Sequence, residues 1–193
     1  MTRAKRRASD VVVALAVLVL VGLGTWQLER RDWKDALIAE REALYAAPPI
    51  ASWHEAKEYR RARLEGRYLE GRALTVGFAR PIAALALDDG TVALVEAGAR
   101  PAGRVAVEGI LRADEQGGWA VPANDAARGR WMTVETAAMS RALGLADVRP
   151  FWLQTSPLPE LRNEHLGYAI TWYSLGVALV VIYAIARRRL AVR

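Results

Sequence analysis

Residues 161–176 read LRNEHLGYAITWYSLG and place a single histidine, His165, at the threshold of an apolar stretch. From Leu166 to Ala186 no side chain is charged, and Arg187-Arg188-Arg189 follow at once. Neutral imidazole is a ligand for haem iron, which is the chemistry this residue type brings to such a place. On a helix starting near Glu164, Trp172 falls seven residues after His165 and Gly176 eleven, within about 20° of one stripe. Tyr168 and Ala169 flank that stripe. One face thus offers an imidazole, an aromatic pair and a small residue, which suits a flat apolar ligand or a close-packed second helix. The same residues serve equally as interfacial anchors, because histidine hydrogen-bonds headgroups and Trp and Tyr populate that layer.

Other chemistry-bearing patterns are scarce. There is no G-x-S-x-G, no H-E-x-x-H and no Walker loop. Asp88-Asp89 and Asp114-Glu115 are paired carboxylates beside glycine or in turn-forming context, where solvated side chains are expected rather than an acid–base pair. His54, in SWHEAKE, has no second histidine nearby and reads as helix surface following Ser52 as a cap. The chain has no cysteine, so there is neither a disulfide framework nor a C-x-x-C-H haem attachment. A Cu(I) site needs soft ligands, and with only Met1, Met132 and Met139 no copper site is expected.

The elements that must carry these residues divide into a span, a domain and a second span. Val11 to Leu28 is an uncharged run of eighteen residues and Leu166 to Ala186 one of twenty-one. Crossing a hydrocarbon core takes about 20 apolar residues, so residues 11–28 and 166–186 are read as transmembrane helices. The first run also resembles a secretory leader with a Gly22-Leu23-Gly24 cleavage site, but its length and the helical pattern after it favour a retained span. Residues 29–165 hold 19 Lys and Arg against 20 Asp and Glu, close to neutral. The net charge of +6 lies in two tails, 1–10 and 187–193. A nucleic-acid partner is therefore excluded, since no domain face is basic. The positive-inside rule puts both tails in the cytoplasm and the main domain outside, periplasmic in a cell (inner) membrane protein.

Trp26, Trp33, Leu37 and Leu44 continue a helical stripe beyond the first span, and Pro48-Pro49 ends it near Ala46. YRRARLEGRYLEG, ALTVGF, IAALAL, TVALVEAG and RVAVEGILR read as strands, with Asp88-Asp89-Gly90 as a hairpin turn. Asn124-Asp125 opens a turn before RWMTV. Glu135 to Leu145 reads as a short amphipathic helix with Ala138, Met139, Ala142 and Leu145 inward, and PFWLQT as a last strand. The expected class is membrane α+β: two transmembrane helices flanking a small, mainly antiparallel β domain with a short helix.

Two end motifs sharpen this reading. GTWQLERRDWKDALI, Gly24 to Ile38, is similar to the N-terminal signature of the Surfeit-locus family of cytochrome c oxidase assembly factors. NEHLGYAITWYSLG, Asn163 to Gly176, resembles its C-terminal signature, and EGRYLEG, NDAARGRW and MSRALGL lie between them in the expected order. The resemblance covers nearly the whole chain and implies two spans with the domain outside. It implies a non-enzymatic factor that holds or hands over haem a while the haem–copper oxidase is built. The family's haem-associated histidine falls on His165 and its tryptophan on Trp172, with Tyr168 as a further wall for the ring. The implied partners are the oxidase catalytic subunit, the haem a synthase and the lipid bilayer. A haem-independent chaperone docking on an oxidase subunit is the competing expectation, and a membrane-tethered sensor is disfavoured by tails too short for an output domain. Val95-Glu96-Ala97-Gly98-Ala99-Arg100-Pro101 departs from the family pattern by losing a tryptophan, which points to a diverged partner surface.

Overall fold

The computed structural model describes residues 3–50 and 55–191, so the reading of Ser52 and His54 lies outside the described residues. The elements run α1 (Arg3–Ala46), β1 (Arg61–Val76), β2 (Arg80–Leu87), β3 (Val92–Glu96), β4 (Arg104–Arg112), α2 (Thr136–Leu143), β5 (Trp152–Gln154) and α3 (His165–Ala191). They form two compact units: Met1–Glu40 with Glu160–Arg193, and Arg41–Pro159. Both α1 and α3 contain segments long and apolar enough to cross a membrane.

In the second unit five strands close a barrel in the order β1-β2-β3-β5-β4. β1, β2 and β3 form an antiparallel meander and β4 returns beside β1, which is the Greek-key arrangement. β5 then fills the gap, antiparallel to β4 and parallel to β3, so one pair departs from the expected antiparallel pattern. YRRARLEGRYLEG and ALTVGF are a single strand rather than two. Residues 61–67 of β1 pair with β4 and its later residues with β2, and a bulge between Tyr68 and Ala73, with Gly71 at φ +67°, shifts the register within the β2 pairing. Gly66 sits at the changeover, where a side chain would run into the Ala86 backbone oxygen.

Burial explains the strand sequences. Ala62, Leu64, Ala83, Leu85, Ala93, Val95, Leu111 and Leu153 fill the barrel interior. Ile82, Ala84, Leu94 and Trp152 point the other way, under Trp131, Val134, Met139 and Leu143. IAALAL and VALV are continuously apolar because both of their faces are covered, whereas β1 and β4 alternate toward solvent. On α2 the buried residues are Thr136, Met139, Ser140 and Leu143. The inward face is thus rotated from the expected one: Ala142 is exposed, and Met139 alone of the four expected residues is fully buried. Ser140 satisfies its hydroxyl on the Thr136 carbonyl oxygen at 2.5 Å, which lets a polar residue occupy the inner face.

The carboxylates at 114 and 115 are fasteners rather than solvated turn residues. The Arg80 guanidinium donates to both Glu115 oxygens at 2.7 Å and lies over the Trp152 ring, 5.2 Å from its centroid. Glu115 also accepts from Val134 N–H, and Asp114 from Thr136 N–H. Asn124 ties its loop to the same region, its side-chain oxygen accepting from Met132 N–H and Thr133 N–H. RWMTV forms no strand and touches the sheet by one bridge, Val76 with Trp131. By contrast Asp88 and Asp89 remain about half exposed, Asp89 closing its turn by accepting from Thr91.

Burial pushes the Glu115 carboxyl up, but the hydrogen bonds from Arg80 and Val134 and the charges of Arg80 and Arg112 outweigh it, leaving it below its ordinary 4.5. A carboxyl held low in the folded state contributes stability above its unfolded value and loses it as pH falls through the folded one. Thermal melts of the wild type should therefore drop progressively below about pH 4.5, and Glu115→Gln should flatten that slope. Arg80→Ala should cost about 2–3 kcal/mol at neutral pH, because it strands a half-buried carboxylate.

Candidate functional site

The first unit is an antiparallel helix hairpin with a regular seam. Val13, Val17, Leu20, Gly24, Gln27, Arg31, Lys34 and Ile38 of α1 are the seam positions, spaced alternately by four and three residues, and all are buried or half-buried. His165, Ala169, Trp172, Gly176, Leu179 and Tyr183 of α3 keep the same alternation. That spacing is the mark of helices packed at a shallow angle, knobs into holes. The stripe of Trp26, Trp33 and Leu37 lies outside the seam, and all three are exposed. Arg30 stacks its guanidinium 3.8 Å from the Trp33 ring centroid.

Lipid is as apolar as leucine, so helices within it would associate through close approach and polar bonds rather than through hydrophobic burial. Both are present. A side chain at Gly24 would come within 2.8 Å of the Tyr173 ring, and one at Gly176 would meet Leu20 Cβ at 3.7 Å. Tyr173 and Thr25 share a hydroxyl–hydroxyl hydrogen bond of 3.1 Å. At the basic end Tyr183 donates to Asp10 at 2.5 Å, Arg187 pairs with Asp10 at 3.6 Å, and Ser9 reaches the Tyr183 hydroxyl at 3.2 Å.

The opposite end of the hairpin holds His165. Asn163 straddles the two helices there, donating to Arg31 O at 2.9 Å and Asp35 Oδ1 at 2.7 Å while its oxygen faces His165 N–H. Lys34 adds a bond to Arg162 O at 2.6 Å. With its backbone so held, His165 turns its ring toward α1, and Nδ1 lies 2.7 Å from Gln27 Oε1. Trp172 is half-buried two turns further along the seam, whereas Tyr168 is 55% exposed on the flank, about 60° round the helix. Neighbours three and four residues apart on a helix meet, so His165, Tyr168 and Trp172 form one continuous strip from the seam edge to the outer surface. Tyr173 also packs against α1, at Gly24 and Thr25, which the exposed Tyr168 does not.

Gln27 is the site residue that sequence reasoning missed. Its signal was a lone amide in an apolar span, three residues after Gly24 and seven after Leu20. Among the described residues no group of three or more His, Asp or Glu side chains is placed to hold a metal ion.

A closed β barrel in a chain with two apolar helices long enough to cross a membrane defines the class as a membrane-associated barrel protein. The profile of the SURF1 family matches residues 14–177, and this chain belongs to that family. It is 26% identical to a SURF1-like protein of Rickettsia conorii, over 94% of this chain and 92% of that one. It is 29% identical to Surfeit locus protein 1 of Homo sapiens, covering 86% of this chain and 73% of the human protein. Surfeit locus protein 1 of Mus musculus is 31% identical over 81% of this chain and 68% of its own length.

The hairpin register has a direct check. A Cβ at Gly176 lies 3.7 Å from that of Leu20, inside the range of about 3.5–4.5 Å that a disulfide bridges. In this cysteine-free chain Leu20→Cys with Gly176→Cys should cross-link on mild oxidation, the two helices staying joined after proteolysis until reduced. Leu18→Cys with Gly176→Cys should not, because Leu18 faces outward.

Proposed function

We propose that this chain is a non-enzymatic membrane assembly factor for haem–copper cytochrome c oxidase, holding haem a as cargo before its insertion into the catalytic subunit. Both tails lie in the cytoplasm and the barrel on the outer, periplasmic side, in keeping with the arginines and lysines at the two ends of the chain. The observation that carries the reading is the Gln27–His165 pair. Ligating histidines characteristically engage their second ring nitrogen in a hydrogen bond, which fixes the ring and makes the ligating nitrogen more basic. His165 has that arrangement, with Nδ1 engaged and Nε2 without a partner among the described residues.

The surroundings would suit a flat apolar ring. Tyr168 on the outer flank and Trp172 beside it supply aromatic faces, which stack and bury a porphyrin without a covalent tie. A single imidazole suits transient holding, since release then breaks one coordinate bond. The oxidase catalytic subunit is the recipient and the haem a synthase the donor.

The haem-independent chaperone reading draws on a separate observation. Phe78, in the β1–β2 turn, and Trp119, in the Gly117-Gly118 loop, are fully exposed on the barrel. Exposed aromatics are the usual anchors of a protein interface. Docking and haem holding are compatible, and pigment separates them. Purified after co-expression with a haem a synthase, the wild type should carry a haem a absorption band, and His165→Ala should lose it while remaining folded and membrane-inserted. Colourless protein in both forms would leave the chaperone reading in possession.

A further inference from the structure

We propose that Gln27 is a positioning residue that selects which nitrogen of His165 is free to bind iron, so that the ligand is competent only when the two helices are packed together. The proposal rests on the haem-holding reading of His165 and assigns its control to the other helix.

Between Val11 and Leu28 the polar side chains are Thr25 and Gln27. Thr25 satisfies itself locally, donating to Val21 O at 3.0 Å and meeting the Tyr173 hydroxyl. Gln27 has no such local bond; its hydrogen bond crosses the seam to His165. Gln27 is half-buried where the seam passes from valine, leucine and glycine to Arg31 and Lys34, and an amide there is costly unless bonded, so the bond to His165 also accounts for the residue's presence.

The polarity of the bond follows from its atoms. Gln27 Oε1 is a carbonyl oxygen and can only accept, so the proton is on Nδ1. A neutral imidazole protonated on Nδ1 has its lone pair on Nε2. Nε2, the ring nitrogen further from the backbone, is then the one that would be offered to iron. Removing Gln27, or parting α1 from α3, releases the ring to rotate and to exchange tautomers. Asn163 reinforces the coupling, because it orders the His165 backbone through its own bonds to Arg31 and Asp35 of α1. Ligand and selector belong to opposite helices, so a partner that separates them would weaken iron binding without touching the iron.

The chain's two histidines make the test clean. In a His54→Gln background, 15N labelling of histidine reports the His165 ring alone, in full-length protein in bilayers without haem. The wild-type ring should be the Nδ1–H form. Gln27→Glu keeps an acceptor and should preserve it, and Gln27→Leu should lose it as the major form. Titrated with hemin as the probe, Gln27→Leu should bind about 10–100-fold more weakly than wild type, the usual cost of losing such a partner. It should have no further effect on top of His165→Ala.

An Nε2–H ring in wild type, or a Gln27→Leu protein matching wild type in both tautomer and hemin affinity, would overturn the proposal. If Gln27→Leu does not insert, wild type and Gln27→Glu decide it, since a neutral ring protonated on Nε2 alone is fatal in either. If the wild type binds no hemin, the haem-holding reading fails instead, and the tautomer still reports whether Gln27 sets the ring.

Discussion

The hairpin unit depends on one constraint: two helices as apolar as α1 and α3 would gain little by leaving lipid for each other. What holds α1 to α3 must therefore come from fit and from polar bonds. Gly24 admits the Tyr173 ring, and Gly176 brings α3 within reach of Leu20. The polar bonds gather at the two ends and leave the middle to packing. Asp10, Tyr183 and Arg187 close one end; Gln27, His165, Asn163 and Asp35 close the other. The residue with most chemical capacity is thus a structural member of the seam. Its orientation is a property of both helices, which is why neither motif alone describes it.

The barrel meets a different constraint, the burial of enough surface by a small domain without disulfides. Closure removes free edges, and packing α2 and residues 131–134 on the outside gives β2 and β3 a second buried face. Loops that would otherwise be free are pinned by charged groups with several partners each. Glu115 engages Arg80 and Val134; Glu96 accepts from Thr155 N–H and from both Ser156 N–H and its hydroxyl. Glu96, at the end of β3, thereby fastens the chain after β5.

Family membership and site chemistry support different parts of the functional reading. Relatives at 26–31% identity over most of the chain establish a shared family. Function belongs to particular side chains rather than to a fold. In the function proposed for this chain those side chains are an imidazole with one nitrogen engaged across the seam, an aromatic strip beside it, and two exposed aromatics on the barrel.

The two apolar runs, the helix stop at Pro48-Pro49, the Asp88-Asp89-Gly90 turn and the strand-rich middle were legible from local pattern, because each is set by residues within a few positions of one another. His165 was legible as a singular residue, and the end motifs carried the family. Its partner was not. Gln27 lies 138 residues away, and only the antiparallel pairing of α1 with α3 puts the amide against the ring. The same reason underlies the rest. Paired carboxylates at 114 and 115 looked solvated until Arg80 arrived from β2, and the inner face of α2 turned when Ser140 found the Thr136 carbonyl. β5 joined β3 in parallel because a closing strand takes whatever direction its gap allows. Periodicity and punctuation are local and can be read along a chain; which face is buried, and which proton a ring keeps, depend on neighbours that only folding supplies.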